Sequence, residues 1–316
     1  MSGRPLVGLA LGGGVMRGMA HIGVLKVLQK AGIPIDMVAG TSSGSIVAAL
    51  FASGYSPKQI EKIALGLRNR DLFDYGSIFL NALLIAGGVI TRVLHLPYPL
   101  RNPLGLMRGH RLEALVNKYV GHNRLFDQTE IPLGITAVDV RDGTLVVFLA
   151  GLPDPWQAHS LAAGSRHVEL HRVIPPEDEF VKDIPIARAV RASVAVPGIF
   201  EPLRLGDSIL VDGGVRENVP AYVLRRMGAD FVIAVDVGYD GRGVSKIGNI
   251  FKILTQSFEI VISEGINWKL GDCSDVEIRP IINADPWDIT RAGYFINQGE
   301  RAAAKALDEI KGKLHN

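Results

Sequence analysis

An α/β fold is predicted, a sheet covered by helices on both faces. Three observations predict it. Short apolar runs alternate along the chain with segments of helical periodicity. A triple glycine, Gly12-Gly13-Gly14, lies between a strand pattern and a helix pattern. A G-x-S-x-G sequence, Gly40-Thr41-Ser42-Ser43-Gly44, lies between another such pair. No internal repeat or low-complexity linker interrupts the pattern, so residues 1–316 are read as a single domain.

The elements follow in order. Leu6 to Leu11 reads as a buried strand and Val15 to Lys30 as a helix with Met19, Ile22, Leu25, Val27 and Leu28 supplying its apolar positions. Met37 to Ala39 is a short strand, and Ser43 to Phe51 a helix closed near Gly54. Ser56 caps the next helix, with Pro57 at its first position and Gln59 completing a capping box. Arg111 to Tyr119, Ile184 to Ser193 and Ala221 to Met227 read as helices. Leu133 to Val138, Leu145 to Leu149, Ser208 to Val211 and Phe231 to Val237 read as strands. A helix from about Ile247 to Leu270, the strand Val276 to Ile278 and a C-terminal helix carrying Phe295, Ala303 and Ile310 complete the pattern.

Bulk properties narrow the function. The chain has 316 residues, 47% hydrophobic, enough for a large core. A net charge of +2 argues against a general nucleic-acid binder, and no nucleic-acid partner is expected. The single cysteine, Cys273, forbids an internal disulfide and suits a reducing compartment. A cytoplasmic location is expected, with peripheral contact at the inner face of a membrane. Arg4 and the run Pro5 to Leu11 loosely imitate a signal peptide, but the glycines interrupt the run, which reads as a first strand. The longest uncharged apolar run, Gly76 to Thr91, is too short for a spanning helix.

The chemistry points to Ser42. On a tight strand-to-helix turn its hydroxyl is presented openly, and the flanking glycines keep side chains out of that turn. The following helix directs free N–H groups and its positive dipole end at the place where an oxyanion would develop. The glycines at 12–14 let the backbone approach a ligand closely, as an oxyanion hole requires. A nucleotide-binding loop fits poorly: Arg17 stands where G-x-G-x-x-G needs its last glycine, and no G-x-x-x-x-G-K-[ST] occurs. Asp212-Gly213-Gly214 after a short strand is a second candidate; by itself Asp-Gly is also the commonest hairpin dipeptide.

The histidines bear on mechanism. After Asp212 the only one is His315, next to the C-terminus and poorly placed for a precisely held base. His21, His95, His110, His122, His159, His167 and His171 sit in no recognisable motif. A triad pairing an earlier acid, such as Asp139 with His159, stays formally open. No H-E-x-x-H or Cys/His cluster suggests a metal, and no cofactor is expected.

Together these segments resemble the patatin-like phospholipase family over nearly the whole chain, from Val7 to about Leu307. Leu11 to Leu25 is similar to the bacterial form and to the catalytic region of neuropathy target esterase. Gly40–Gly44 matches the family's nucleophile elbow, and Arg191-Ala192-Ser193, continuing through Pro197-Gly198-Ile199-Phe200, a further family segment. Asp212-Gly213-Gly214, with Asn218 and Pro220, matches its aspartate motif. The resemblance implies a three-layer α/β/α sandwich around a mostly parallel central sheet. It implies Ser42 as nucleophile, Asp212 as its partner, and an oxyanion hole from Gly12, Gly13 and Gly14 with the N–H of Ser43. One departure is plain. The bacterial pattern usually has glycine where Val15 stands and a small residue where Met16 stands, so bulk is added beside the hole.

The expected activity is hydrolysis of fatty acyl esters, of phospholipase A or lysophospholipase type, through a Ser–Asp dyad and an acyl-enzyme. The expected partners are phospholipid, lysophospholipid or another fatty acyl ester. The rival is a catalytically silent lipid-binding or regulatory protein on the same fold. Residues 75–112 contain no Asp or Glu but hold Arg92, Arg101, Arg108 and Arg111 among many apolar residues. That composition suits a lid or a membrane-contact segment as well as a packing element.

Overall fold

The structure is a computed structural model that describes residues 4–97, 100, 103–150, 179–181, 183–239, 241, 248 and 250–314. Strand β1 (Val7–Leu11) leads through a 3-10 turn (Val15–Met19) into α1 (Ala20–Lys30). Then come β2 (Met37–Gly40), α2 (Ser43–Ala52), α3 (Pro57–Gly66), α4 (Asn69–Leu72), α5 (Tyr75–Val93), β3 (Gly105–Met107) and α6 (His110–Val120). The middle holds β4 (Leu133–Asp139), β5 (Leu145–Phe148), β6 (Glu179–Val181), α7 (Ile186–Ser193), β7 (Gly198–Phe200), β8 (Leu203–Leu205) and β9 (Ser208–Asp212). The last third holds α8 (Ala221–Arg226), β10 (Phe231–Val235), α9 (Ile250–Cys273), β11 (Val276–Ile278) and α10 (Ala292–Leu314).

The main sheet runs β11-β10-β1-β2-β4-β5-β6. It is parallel from β11 to β4 and again between β5 and β6. It is therefore mixed: β5 and β9 both run antiparallel to β4, and β8 and β9 form a hairpin. Strands β1, β2, β4, β5 and β10 are buried on both faces, as a sheet between helices must be. Side-chain alternation splits the core in two. Leu9, Leu11, Ile233 and Val235 pack with α1, α2 and α10 residues on one face. Ala10, Ala39, Val232 and Ala234 pack with Tyr222, Val223 and Leu224 of α8 on the other. This is the α/β architecture with helices on both faces that the sequence predicts.

Two local readings change, and a helix left unassigned by the sequence appears. The segment read as one helix from Val15 begins as a 3-10 turn, and the α-helix starts at Ala20. The apolar run after Gly76 is helical, within α5. Asp212-Gly213 is no hairpin: Asp212 ends β9, and a 3-10 turn (Gly213–Val215) follows. The Asp-Gly that does link antiparallel strands is Asp142-Gly143, between β4 and β5, where Gly143 takes φ 81. The Ser56/Gln59 capping box with Pro57 forms as read, the Ser56 N–H donating to Gln59 Oε1 at 2.8 Å. His159, His167, His171 and His315, the stretch from Trp156 to Arg172, and Arg101 lie outside the described residues. Among the described residues no helix is long and apolar enough to cross a membrane.

Candidate active site

The site forms at the C-terminal ends of β1 and β2, where parallel strands hand over to helix N-termini. Ser42 follows β2 and precedes α2, with φ 52 and ψ −126. A non-glycine residue seldom takes such a backbone, and strain of this kind persists where surrounding structure fixes it. Here the fixing contacts are visible. The Ser42 N–H donates to Ser193 Oγ at 2.8 Å, and Ser45 Oγ donates to the Ser42 carbonyl at 2.6 Å. Thr41 Oγ1 donates to the Glu217 carbonyl at 2.9 Å and lies 2.7 Å from Thr136 Oγ1. Gly44 is required by close approach: a Cβ there would stand 2.1 Å from the Leu11 carbonyl oxygen.

Ser193 was not singled out from the sequence. It ends α7, far along the chain, and the resemblance marked its segment without giving it a role. Its removal should be costly. Ser193→Ala leaves the buried Ser42 N–H without an acceptor, a loss of about 1–3 kcal/mol. A lowered thermal midpoint for the variant is the expected reading; an unchanged one would show that the elbow needs no such anchor.

Asp212 closes the site from β9. It is 4% exposed, and its Oδ1 accepts the Gly214 N–H at 2.8 Å. Its Oδ2 is buried with no hydrogen-bond partner among the described residues. Burial pushes the carboxyl up to about 6, against the opposing pull of the Ser42 hydroxyl and the Gly214 N–H. Thus Ser42 and Asp212, distant in sequence, are brought together. Asp139, the other acid considered, ends β4, holds Arg141 Nη2 at 2.7 Å and lines neither chamber described below.

The glycine loop is more specialised than its composition suggests. The Gly12 N–H donates to the Val235 carbonyl (3.0 Å) and the Gly13 N–H to the Asn218 carbonyl (3.2 Å). These two amides are committed to the fold, so they are not free donors. The Gly14 N–H donates to Ser43 Oγ at 3.1 Å. The N–H groups of Val15 and Ser43 meet no acceptor among the described residues. What Gly13 contributes is room: a Cβ there would lie 2.9 Å from Ser42 Cβ and 2.6 Å from Asn218 Oδ1. His21 is a support for this loop. Its Nε2 lies 2.7 Å from the Gly12 carbonyl, and burial drops its pKa to about 4, so the ring is neutral near pH 7.

Two chambers meet at Ser42. One is almost wholly apolar and runs among Ile22, Val47, Ile60, Leu72, Leu112 and Tyr119. The other is mixed, with Arg17, Asp212, Asn218, Tyr239 and Glu259 set among apolar walls. Ser42, Val15, Val196 and Trp287 line both. Arg17 is itself neutralised by Glu259 of α9, Nη2 to Oε1 at 2.7 Å. Among the described residues no histidine lines either chamber. Among the described residues no group of three or more His, Cys, Asp or Glu side chains could hold a metal ion.

These features define an α/β protein with a serine elbow over a two-chambered cleft. The chain belongs to the patatin-like phospholipase family, whose family model matches residues 9–225. It is 29% identical over 232 residues to the protein named lysophospholipase NTE1 of Debaryomyces hansenii, covering 73% of this chain and 12% of that one. It is 29% identical over 234 residues to human patatin-like phospholipase domain-containing protein 6, covering 73% and 13%. It is 31% identical over 262 residues to the protein YqhO of Bacillus subtilis, covering 80% and 78%. The chain therefore spans only a small part of the first two relatives' length and most of the third.

Proposed function

We propose that this protein is a serine-dependent lipid acyl hydrolase, of phospholipase A or lysophospholipase type, working through a Ser42–Asp212 dyad. One observation carries the reading. Ser42 stands where an apolar chamber, fit for a fatty acyl chain, meets a second chamber that holds a carboxylate with a partnerless oxygen. Ionised Asp212 takes the proton of Ser42 Oγ as that oxygen attacks the ester carbonyl. The tetrahedral oxyanion receives hydrogen bonds from the free N–H groups of Val15 and Ser43, and from Gly14 when its bond to Ser43 Oγ opens. Collapse expels the alcohol, which takes the proton back from Asp212. Water, deprotonated by the same carboxylate, then attacks the acyl-serine. The second collapse releases the fatty acid, and Asp212 returns its proton to Ser42 Oγ. The naming of NTE1 as a lysophospholipase supports a lipid ester as substrate. A silent lipid-binding protein would have no use for a strained serine beside a buried carboxylate with one partnerless oxygen. The test is labelling with a long-chain fluorophosphonate followed by peptide mass mapping. Adduct on Ser42 is expected; adduct elsewhere, or none, would remove the proposal.

The segment 75–112 is proposed as the membrane contact. Helix α5 is anchored on its inner side, where Asn81 Nδ2 donates to the carbonyls of Gly105 (3.2 Å) and Leu106 (3.3 Å). Its outer side presents Phe79, Leu83, Ile90 and Val93, with Phe79 82% exposed. These positions fall on one helical stripe, an apolar face of the kind that marks a lipid or protein contact. Arg92 and Arg108 are exposed, whereas Arg111 is tied to Asp74 and the Arg70 carbonyl. Leu83→Asp with Ile90→Asp should cut turnover on anionic vesicles by about a hundredfold or more, given about 1.5–3 kcal/mol for each of the two side chains buried in lipid. A short soluble ester should be spared. Equal losses on both substrates would make α5 a packing element only.

A further inference from the structure

We propose that Val15 gauges the acyl group, admitting esters unbranched beside the carbonyl and turning away those substituted there. The inference rests on the reading of Ser42 as the acylated nucleophile. Val15 has φ 55, the left-handed region, which a β-branched side chain rarely adopts. It is held there from both sides. The Arg17 N–H donates to the Gly14 carbonyl (3.0 Å), and the Met16 N–H to the Pro286 carbonyl (3.0 Å). A glycine would take this backbone without strain, so the side chain is present at a conformational cost.

The position of that side chain supplies a reason. Val15 lines both chambers and, with Val196 and Trp287, frames the neck between them at Ser42. In an acyl-enzyme the carbonyl carbon is bonded to Ser42 Oγ. The next carbon of the chain must enter the apolar chamber through this neck. Two methyl groups on Val15 narrow it at that carbon. A straight methylene chain passes, whereas a substituent on the first carbon meets the isopropyl group. The free Val15 N–H ties the same residue to the oxyanion, so its backbone and its side chain bear on one atom pair of the substrate.

The experiment compares kcat/KM for p-nitrophenyl octanoate with that for its α-methyl analogue, in the wild-type chain, Val15→Gly and Val15→Ala. The wild type should favour the straight ester. Val15→Gly should lower that preference about tenfold or more, the scale of one misfitting methyl group, and Val15→Ala by less. Melting curves establish folding, and the alanine variant decides if the glycine variant is not folded. A preference unchanged in the folded variants, or absent in the wild type, overturns the proposal. Failure of the wild type to hydrolyse either ester, with no adduct on Ser42, would instead overturn the hydrolase reading and this proposal with it.

Discussion

Ser42→Ala is expected to lower ester hydrolysis by at least about a thousandfold while the protein stays folded, because removing a nucleophile removes the covalent route altogether. The fold should survive for a specific reason. Each hydrogen bond that holds the elbow uses the backbone of residue 42 or the side chains of its neighbours, not the Ser42 hydroxyl. Alanine also keeps the backbone's steric demands, so φ 52 costs about what it did. One side effect follows from charge. The Ser42 hydroxyl helps to hold the Asp212 carboxyl down, so the alanine variant should carry an Asp212 that ionises at still higher pH. Hydrolysis of a lipid ester at wild-type rate by a folded Ser42→Ala protein would end the serine mechanism.

Asp212→Asn should cost a comparable factor, since the amide cannot accept the hydroxyl proton. The wild-type pH profile should show the same group. With the carboxyl pushed up to about 6, kcat/KM should rise with pH through that value and level off above it. Stability runs the other way. Burial raises the folded pKa above the ordinary value of 3.8, so the fold favours the protonated acid. The stability that this supplies is complete below the unfolded pKa and is lost as pH rises through about 6. A shift of roughly two units corresponds to about 3 kcal/mol. Asparagine carries no such penalty, so Asp212→Asn should be inactive yet more stable at pH 8, the gain fading toward pH 4. Chemical denaturation at the two pH values reads this directly. An asparagine variant that is active, or one less stable at pH 8, would count against Asp212 as a buried base.

Much of this was legible in the sequence, for identifiable reasons. The elbow was legible because Gly44 has no alternative: any side chain would strike the Leu11 carbonyl. Strands β1 and β10 were legible because each is buried on both faces and reads as an unbroken apolar run; β3, β6, β7 and β8, three residues each, were too short to give a pattern. Helix α5 was hidden because Gly76, Gly87 and Gly88 weaken helix propensity, and because its exposed apolar residues imitate a core pattern. Ser193 was hidden because its bond to Ser42 spans 151 residues of sequence. The commitment of the Gly12 and Gly13 amides was likewise invisible, since their acceptors, Val235 and Asn218, lie more than two hundred residues away.

The place of β1 in the sheet carries a consequence for how the chain acquires its shape. Val7 pairs with Phe231 on one side, while Gly8 pairs with Met37 on the other. Strand β1 is thus an interior strand whose second neighbour is made more than two hundred residues later. Until β10 arrives, one edge of Val7–Leu11 offers unpaired amides and carbonyls flanked by apolar side chains, a template for pairing with another nascent chain. Such remote closure also slows folding, because loop entropy must be spent before the contact forms. Release of the chain at residue 225, where the family model stops, would make that transient edge permanent. Such a fragment keeps Ser42 and Asp212 and should nevertheless accumulate as aggregate.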